Sequence, residues 1–170
     1  MTITKLREGI ACELRADTRL SGCKIQAAYP AARREFPVVR PIIAVGLDAL
    51  ELEPGLGGFM ASCPDGDYYG APCLLSIRFD IYTSDTVKGP DPCELLEIIF
   101  DRLAVTENKF GFFEFRGGRV SRDSNAEANL LTAVGRLRMA VSRVAGDSVV
   151  IDGFDVHGRL EADVKDITII

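Results

Sequence analysis

Ile3, Leu6, Ile10 and Leu14 recur at intervals of three and four residues, the spacing that lines up one face of an α-helix. Lys5, Arg7, Glu8, Glu13 and Arg15 fall mostly off that face, so an amphipathic helix is predicted over Thr2–Ala16. Gly22 follows its end, and Lys24–Tyr29 is read as a short strand. Pro30, Pro37 and Pro41 exclude a regular helix from the next stretch, because proline lacks the amide hydrogen and clashes with the preceding turn. Ile43, Val45 and Leu47 then alternate within Ile42–Leu52, the period of a strand.

Residues Pro54–Pro72 are rich in Gly, Pro and Asp and are expected to form a long loop, or else to hide a hairpin turning at Asp65-Gly66. Leu74–Thr83 reads as a strand with Leu75, Ile77, Phe79 and Ile81 on one side and Ser76, Arg78, Asp80 and Tyr82 on the other. A helix is predicted over Pro92–Val105. Asp91 is placed to cap it, Pro92 suits its first position, Glu94 has capping-box spacing, and Leu96, Ile99, Phe100 and Leu103 mark the buried face. Asn129–Val144 reads as a second long strand, with Leu131, Ala133, Leu137, Met139 and Val141 opposed to Thr132, Val134, Arg136, Arg138 and Ser142. At ~3.3 Å per residue it is longer than a small sheet requires, so a bend at Gly135 or an overhang is expected. Val149-Val150-Ile151, the Asp152-Gly153 turn signal and the apolar Ile167–Ile170 ending predict a further β extension. The expected class is α+β: a mainly antiparallel sheet flanked by two amphipathic helices, with a C-terminal β extension.

Length and composition leave this picture standing. One domain is the default at 170 residues, and no segment approaches the run of ~18 apolar residues that a membrane-spanning helix needs. The first eight residues lack the apolar core of a secretory signal, which predicts a cytoplasmic origin and no membrane partner. Cys12, Cys23, Cys63, Cys73 and Cys93 are odd in number and irregular in spacing, so free thiols are expected. A net charge of −5 counts against nucleic acid as the main partner, because duplex binding rests on clustered Lys and Arg.

Catalytic chemistry finds no foothold in the sequence, and neither an enzyme nor a cofactor is expected. His157 is the single histidine, set beside Gly158, and no Gly-x-Ser-x-Gly elbow or short-spaced Cys/His ligand set occurs. Gly55-Leu56-Gly57-Gly58, Gly66–Gly70 and Gly117-Gly118 lack the Lys-Ser/Thr of a phosphate loop. Asp65-Gly66-Asp67 lacks the rest of a calcium loop, and Glu94, Glu97 and Asp101 read as a solvated helix face. The arginines stand out, numbering 15 against 5 lysines. Arg116, Arg119 and Arg122 precede the long strand, and Arg136, Arg138 and Arg143 lie in it, while Arg78 and Asp80 lie on the earlier one. Two readings stay open: an exposed sheet face with cross-strand ion pairs, or a charged surface that meets another subunit.

The order of elements resembles that of the tail terminator (tail completion) proteins of long-tailed bacteriophages and related contractile particles. An N-terminal amphipathic helix precedes Tyr29-Pro30 to Glu35-Phe36-Pro37, followed by an apolar strand, a variable loop, the strand Leu74–Thr83 and the helix Pro92–Val105. Arg119-Val120-Ser121-Arg122-Asp123 and the strand Asn129–Val144 complete the likeness, which covers roughly residues 3–144. The resemblance implies a domain over 1–144, with 145–170 as an added hairpin or arm packed on the same domain or a neighbour. It implies a structural subunit of the virion tail or neck: a homo-oligomer, expected to be a hexameric ring, that caps the tail tube, ends its polymerisation and presents a surface for the head. The partners implied are the tail tube protein and a head–tail connector, with a sheath as a further candidate and DNA only in passage through the lumen. Candidate subunit-interface residues are Arg78, Asp80, Arg119, Arg122, Arg136, Arg138, Ile167 and Ile169. The alternatives are another connector, tube or baseplate component, or a small-ligand binding module using residues 54–72.

Overall fold

The protein is described from a computed structural model, which covers residues 3–27, 38–52, 58–63, 66–84, 89–106, 108–124 and 127–144. Helix α1 (Ile3–Ala16) buries Leu6, Ile10, Ala11 and Leu14, the face its spacing predicts. It stops where Asp17 turns to extended backbone and caps a short 3-10 turn, Thr18–Leu20, by accepting the Arg19 amide at 2.9 Å. Arg15 then donates from Nε and Nη2 to the Ile25 carbonyl, at 3.0 and 2.9 Å, joining α1 to strand β1 (Lys24–Gln26).

The strands after it are β2 (Ile42–Leu52), β3 (Gly58–Cys63), β4 (Gly66–Ser84), β5 (Phe112–Gly117), β6 (Ser121–Asp123) and β7 (Ala128–Val144). They form one seven-stranded mixed sheet in the order β1-β2-β4-β7-β5, with β3 on β4 beyond β2 and β6 on β7 beyond β5. The β1·β2 pair is parallel and the other pairs are antiparallel. The fold is therefore α+β with a mixed sheet. The strand expected over Lys24–Tyr29 ends at Gln26, and residues 28–37, with Tyr29-Pro30 and Glu35-Phe36-Pro37, lie outside the described residues, as does the extension over 145–170.

The loop reading of residues 54–72 is corrected. Residues 53–57 and 64–65 lie outside the described part, but β3 and β4 are paired around Gly58↔Gly70 and Cys63↔Gly66, so the hairpin reading is the one that fits. The glycines and Pro72 that suggested a loop have a place in this ladder. Pro72 falls between Cys73, the last partner of β2, and Gly70, the first partner of β3. Its missing amide therefore sits where that edge of β4 changes partner and pairs with nothing.

Helix α2 (Pro92–Phe100) starts as expected, with the Asp91 carboxylate accepting the Cys93 amide at 2.8 Å and Pro92 in the first turn. It does not run on to Val105 as one α-helix. Asp101–Thr106 is a π-helical turn, and the buried stripe is Leu95, Ile99 and Leu103. Phe100, expected inside, is 44% exposed and meets the Phe115 ring edge-on with centroids 5.7 Å apart. Leu96 is only partly buried.

On β4, Leu75, Ile77, Phe79 and Ile81 are fully buried beneath the helices, opposite Leu137, Gly135, Ala133 and Leu131 of β7. Gly135 does not interrupt the pairing, since the β4·β7 register runs without a shift from Tyr68↔Val144 to Ser84↔Ala128. Gly135 instead makes room for aromatic rings. A Cβ there would lie 2.7 Å from Phe112 Cε1 and 2.9 Å from Phe115 Cζ, and those two rings pack with Phe79 at centroid distances of 5.0 to 6.2 Å. Length is accommodated by extension: β4 and β7 stay paired past Cys73 and Met139, and β3 joins β4 there. Gly135→Ala is expected to lower unfolding stability by about 1–3 kcal/mol through overpacking, with strand content retained, as measured by urea denaturation followed by circular dichroism.

Candidate interaction surface

Strand alternation turns the other set of side chains away from the helices. Because the register is fixed, cross-strand rungs form on this second face: Ala44–Asp80–Thr132, Gly46–Arg78–Val134–Arg116 and Ala49–Ser76–Arg136–Glu114. Glu51–Leu74–Arg138 follows towards the β3 end. Arg78, Asp80, Arg136 and Arg138 therefore share one face, as the sequence predicts.

Asp80 organises the middle of it. Its Oδ1 accepts from Arg78 Nε at 2.9 Å and from the Thr132 hydroxyl at 2.7 Å. The carboxylate is almost fully buried while the Arg78 side chain is 38% exposed. A buried charge is tolerated when it is paired and hydrogen-bonded, which this geometry provides. The Asp80 hydrogen bond also raises the Arg78 guanidinium above its ordinary value. Buried Ser76 and Tyr82 show that this face is not wholly solvated: Tyr82, Val38, Ile42 and Ala128 form a small second apolar cluster at one end.

Next along the sheet, Glu114 accepts from both Arg116 and Arg136; the Arg136 Nη1 contact is 3.3 Å, and Arg136 Nη2 reaches Glu51 at 3.9 Å. Arg138 lies over the half-exposed Phe113 ring, 5.7 Å from its centroid. The side chains proposed from sequence as one interface group thus divide. Arg136 is held by carboxylates of its own subunit and Arg138 faces an aromatic ring. Arg119 and Arg122 are exposed on the β5–β6 rim, with Arg122 paired to Asn129 and so on the helix side by alternation. Ile167, Ile169, Arg143's side chain and His157 lie outside the described residues. Glu114 and Phe113 were missed because the alternation in Phe112–Gly117 was not read as a strand, whereas Glu51 and Thr132 lie in strands that were read but were not singled out as site residues.

Other sites give less. A shallow, open depression is lined by Thr83, Ser84, Pro90, Asp91, Cys93 and Asn129, without convergent ionisable groups. Cys12, Cys23, Cys73 and Cys93 are free thiols. Among the described residues no cluster of His, Cys, Asp and Glu is suited to a metal, and no helix is long and apolar enough to cross a membrane. Neither family models nor curated proteins match the sequence.

Two outcomes follow from these contacts. Asp80→Asn keeps an acceptor for Thr132 but leaves Arg78 without its counter-charge, so a loss of about 1–3 kcal/mol is expected in chemical denaturation, reduced when Arg78→Gln is added. Acid sensitivity is the second. The Arg116 and Arg136 hydrogen bonds hold Glu114 below its ordinary value, and the Arg19 hydrogen bonds do the same for Asp17 and Asp101. A carboxyl depressed in the folded state contributes stability above its unfolded value, ~4, and loses it as pH falls through the folded value. The melting temperature is therefore expected to hold from pH 7 to about 5 and drop below about 4, with a smaller acid-induced drop in Arg19→Gln.

Proposed function

We propose that this chain is a structural subunit of a phage or phage-like tail, forming a ring that caps the tail tube, ends its polymerisation and provides the surface for joining the head. The observation that carries this reading is the length of the β3–β4–β7 ribbon, whose backbone pairing runs on past Cys73 and Met139 to Gly66 and Val144. Paired strands longer than a small sheet requires are suited to meeting a neighbouring subunit. The order of helix, strand, hairpin, helix and long strand resembles that of tail terminators. A heterologous contact, in which one patch meets a different patch of the next copy, closes a ring when the rotation permits. The face bearing Arg78, Arg138 and Phe113 is suited to such a contact, since arginine and aromatic side chains are favoured in interfaces. Under this reading DNA passes the lumen without tight binding, in keeping with a net charge of −5.

The competing small-ligand reading loses its loop, because residues 58–63 and 66–72 are strands. The tube-subunit reading differs in its product, an open polymer in place of a closed ring. Native mass spectrometry of the purified chain is expected to show a closed ring, and adding it to polymerising tube subunits to arrest growth. A chain that stays monomeric, or that extends into filaments, would sink the proposal. Arg138→Glu is expected to weaken ring formation about tenfold while shifting the melting temperature little. Arg136 is a poorer probe, because a carboxylate there would face Glu114 and disturb the fold itself.

A further inference from the structure

β5 ends the sheet in the described residues, and its outer edge is unlike the edge at the other end. At that far end β1 is only three residues long, and the Ile25 carbonyl is already taken by the Arg15 guanidinium. Short length and occupied backbone groups are the usual means of protecting a sheet edge. β5 has neither. Its one irregularity is the bulge between Phe112 and Glu114, which leaves Phe113 54% exposed. From Phe113 to Gly117 the edge carries neither proline nor lysine.

The hydrogen-bonding phase of this edge can be worked out. The Gly118 amide donates to the Thr132 carbonyl at 2.8 Å, in step with Gly117↔Ala133. Antiparallel ladders alternate, so Arg116 and Glu114, two and four residues back, direct their backbone groups towards β7. Phe115 and Gly117 then direct theirs to the open edge. An antiparallel strand centred on Phe115 would exchange both hydrogen bonds with it.

A second copy of β5 fits that description. With Phe115 opposite Phe115 of the second copy, Glu114 lies opposite Arg116 of the second copy and Arg116 opposite its Glu114. Both side chains stand on the same face, since they occupy rungs with Arg136 and Val134. Arg116 is 75% exposed and already paired with Glu114 of its own chain, which also binds Arg136, so the added rungs extend an existing charge cluster across the edge. Exposed Phe113 and Phe100, beside the edge, would be brought towards the second copy and lose water. A sequence whose charges read oppositely in the two directions attracts an antiparallel copy of itself, whereas an edge of one sign repels it.

We infer that β5 is a two-fold docking edge, at which two copies of this chain join their sheets into one through Phe113–Gly117. This does not rest on the ring reading: a dimer is expected whether or not rings form. The test uses charge reversal in the full chain. Sedimentation and native mass spectrometry of the unmodified protein are expected to show a concentration-dependent dimer, or assemblies with an even number of chains. Glu114→Arg alone and Arg116→Glu alone each set like charges opposite one another, and each is expected to weaken the dimer about tenfold or more. An equimolar mixture of the two variants is expected to restore pairing as a heterodimer, and Glu114→Arg/Arg116→Glu together to restore the homodimer. Because Glu114→Arg would face Arg136, all these variants are made in an Arg136→Gln background, and thermal melts of each identify any loss that comes from unfolding. A protein that stays monomeric, single reversals without effect, or a mixture that fails to pair would each overturn the inference. If rings form with the same subunit count in every variant, the two-fold edge is wrong and the ring stands; if dimers respond as expected but no ring forms, the reverse holds.

Discussion

The unbroken pairing of β4 with β7 is the constraint on which the rest of the structure depends. Seventeen residues of each strand keep a single register, from Tyr68↔Val144 to Ser84↔Ala128. Because side chains alternate at every step, that one register decides what lies under the helices and what lies on the second face. A slip of one residue would carry Phe79, Ile77 and Leu131 outwards and place Asp80, Arg136 and Arg138 against the core. The cost of burying those charges without partners makes such a slip prohibitive, so the arginines specify the register as much as the apolar residues do. The irregularities are moved to the neighbours: β2 shifts between Leu47 and Ala49, β3 between Phe59 and Ala61, and β5 between Phe112 and Glu114.

The helical layer is fixed to this sheet by apolar contact and located by charge. Arg19 bridges Asp17, at 2.7 Å, and Asp101, at 2.8 Å, tying the end of α1 to the start of the π-helical turn. Glu13 meets Arg102 at 3.2 Å and Lys109 at 3.1 Å on the same flank. Exposed pairs of this kind contribute little individually. Their effect here is positional: both clusters act on the segment after Phe100, where the helix widens. The π turn keeps Leu103 in line with Leu95 and Ile99 while leaving Phe100 to lean on Phe115 at the sheet edge.

The sequence was legible where a single physical rule governed a long segment. Alternation gave the two faces of β4 and β7, three-and-four spacing gave α1, and Asp91-Pro92 gave the start of α2. It was illegible where two rules competed. Gly58, Gly66, Gly70 and Pro72 signal turns, yet they sit in paired strands, with Pro72 where the edge of β4 changes partner from β2 to β3. The helical period hid the π turn and so misplaced Phe100. Gly135 looked like a place for a bend, but its missing side chain is filled by Phe112 and Phe115, a contact made across strands that a local reading of β7 cannot see. The candidate surface was half legible for the same reason: Arg78, Asp80, Arg136 and Arg138 come from the two strands that were read, whereas Glu114, which neutralises Arg136, comes from one that was not.

That missing strand changes what the arginines are for. Read from β4 and β7 alone, Arg136 and Arg138 form a basic stripe awaiting an acidic partner. With β5 in place, Arg136 is balanced within the subunit, Asp80 answers Arg78, and Arg116, paired with Glu114, stands 75% exposed at the edge itself. A face whose charges are largely answered internally has little reason to recruit a polyanion. An edge with open backbone groups and charges of both signs in self-complementary order has a strong reason to meet another strand. The chemistry that points outward from this fold is accordingly that of the sheet continuing, at the β5 edge on one side and along the β3–β4–β7 ribbon at one end.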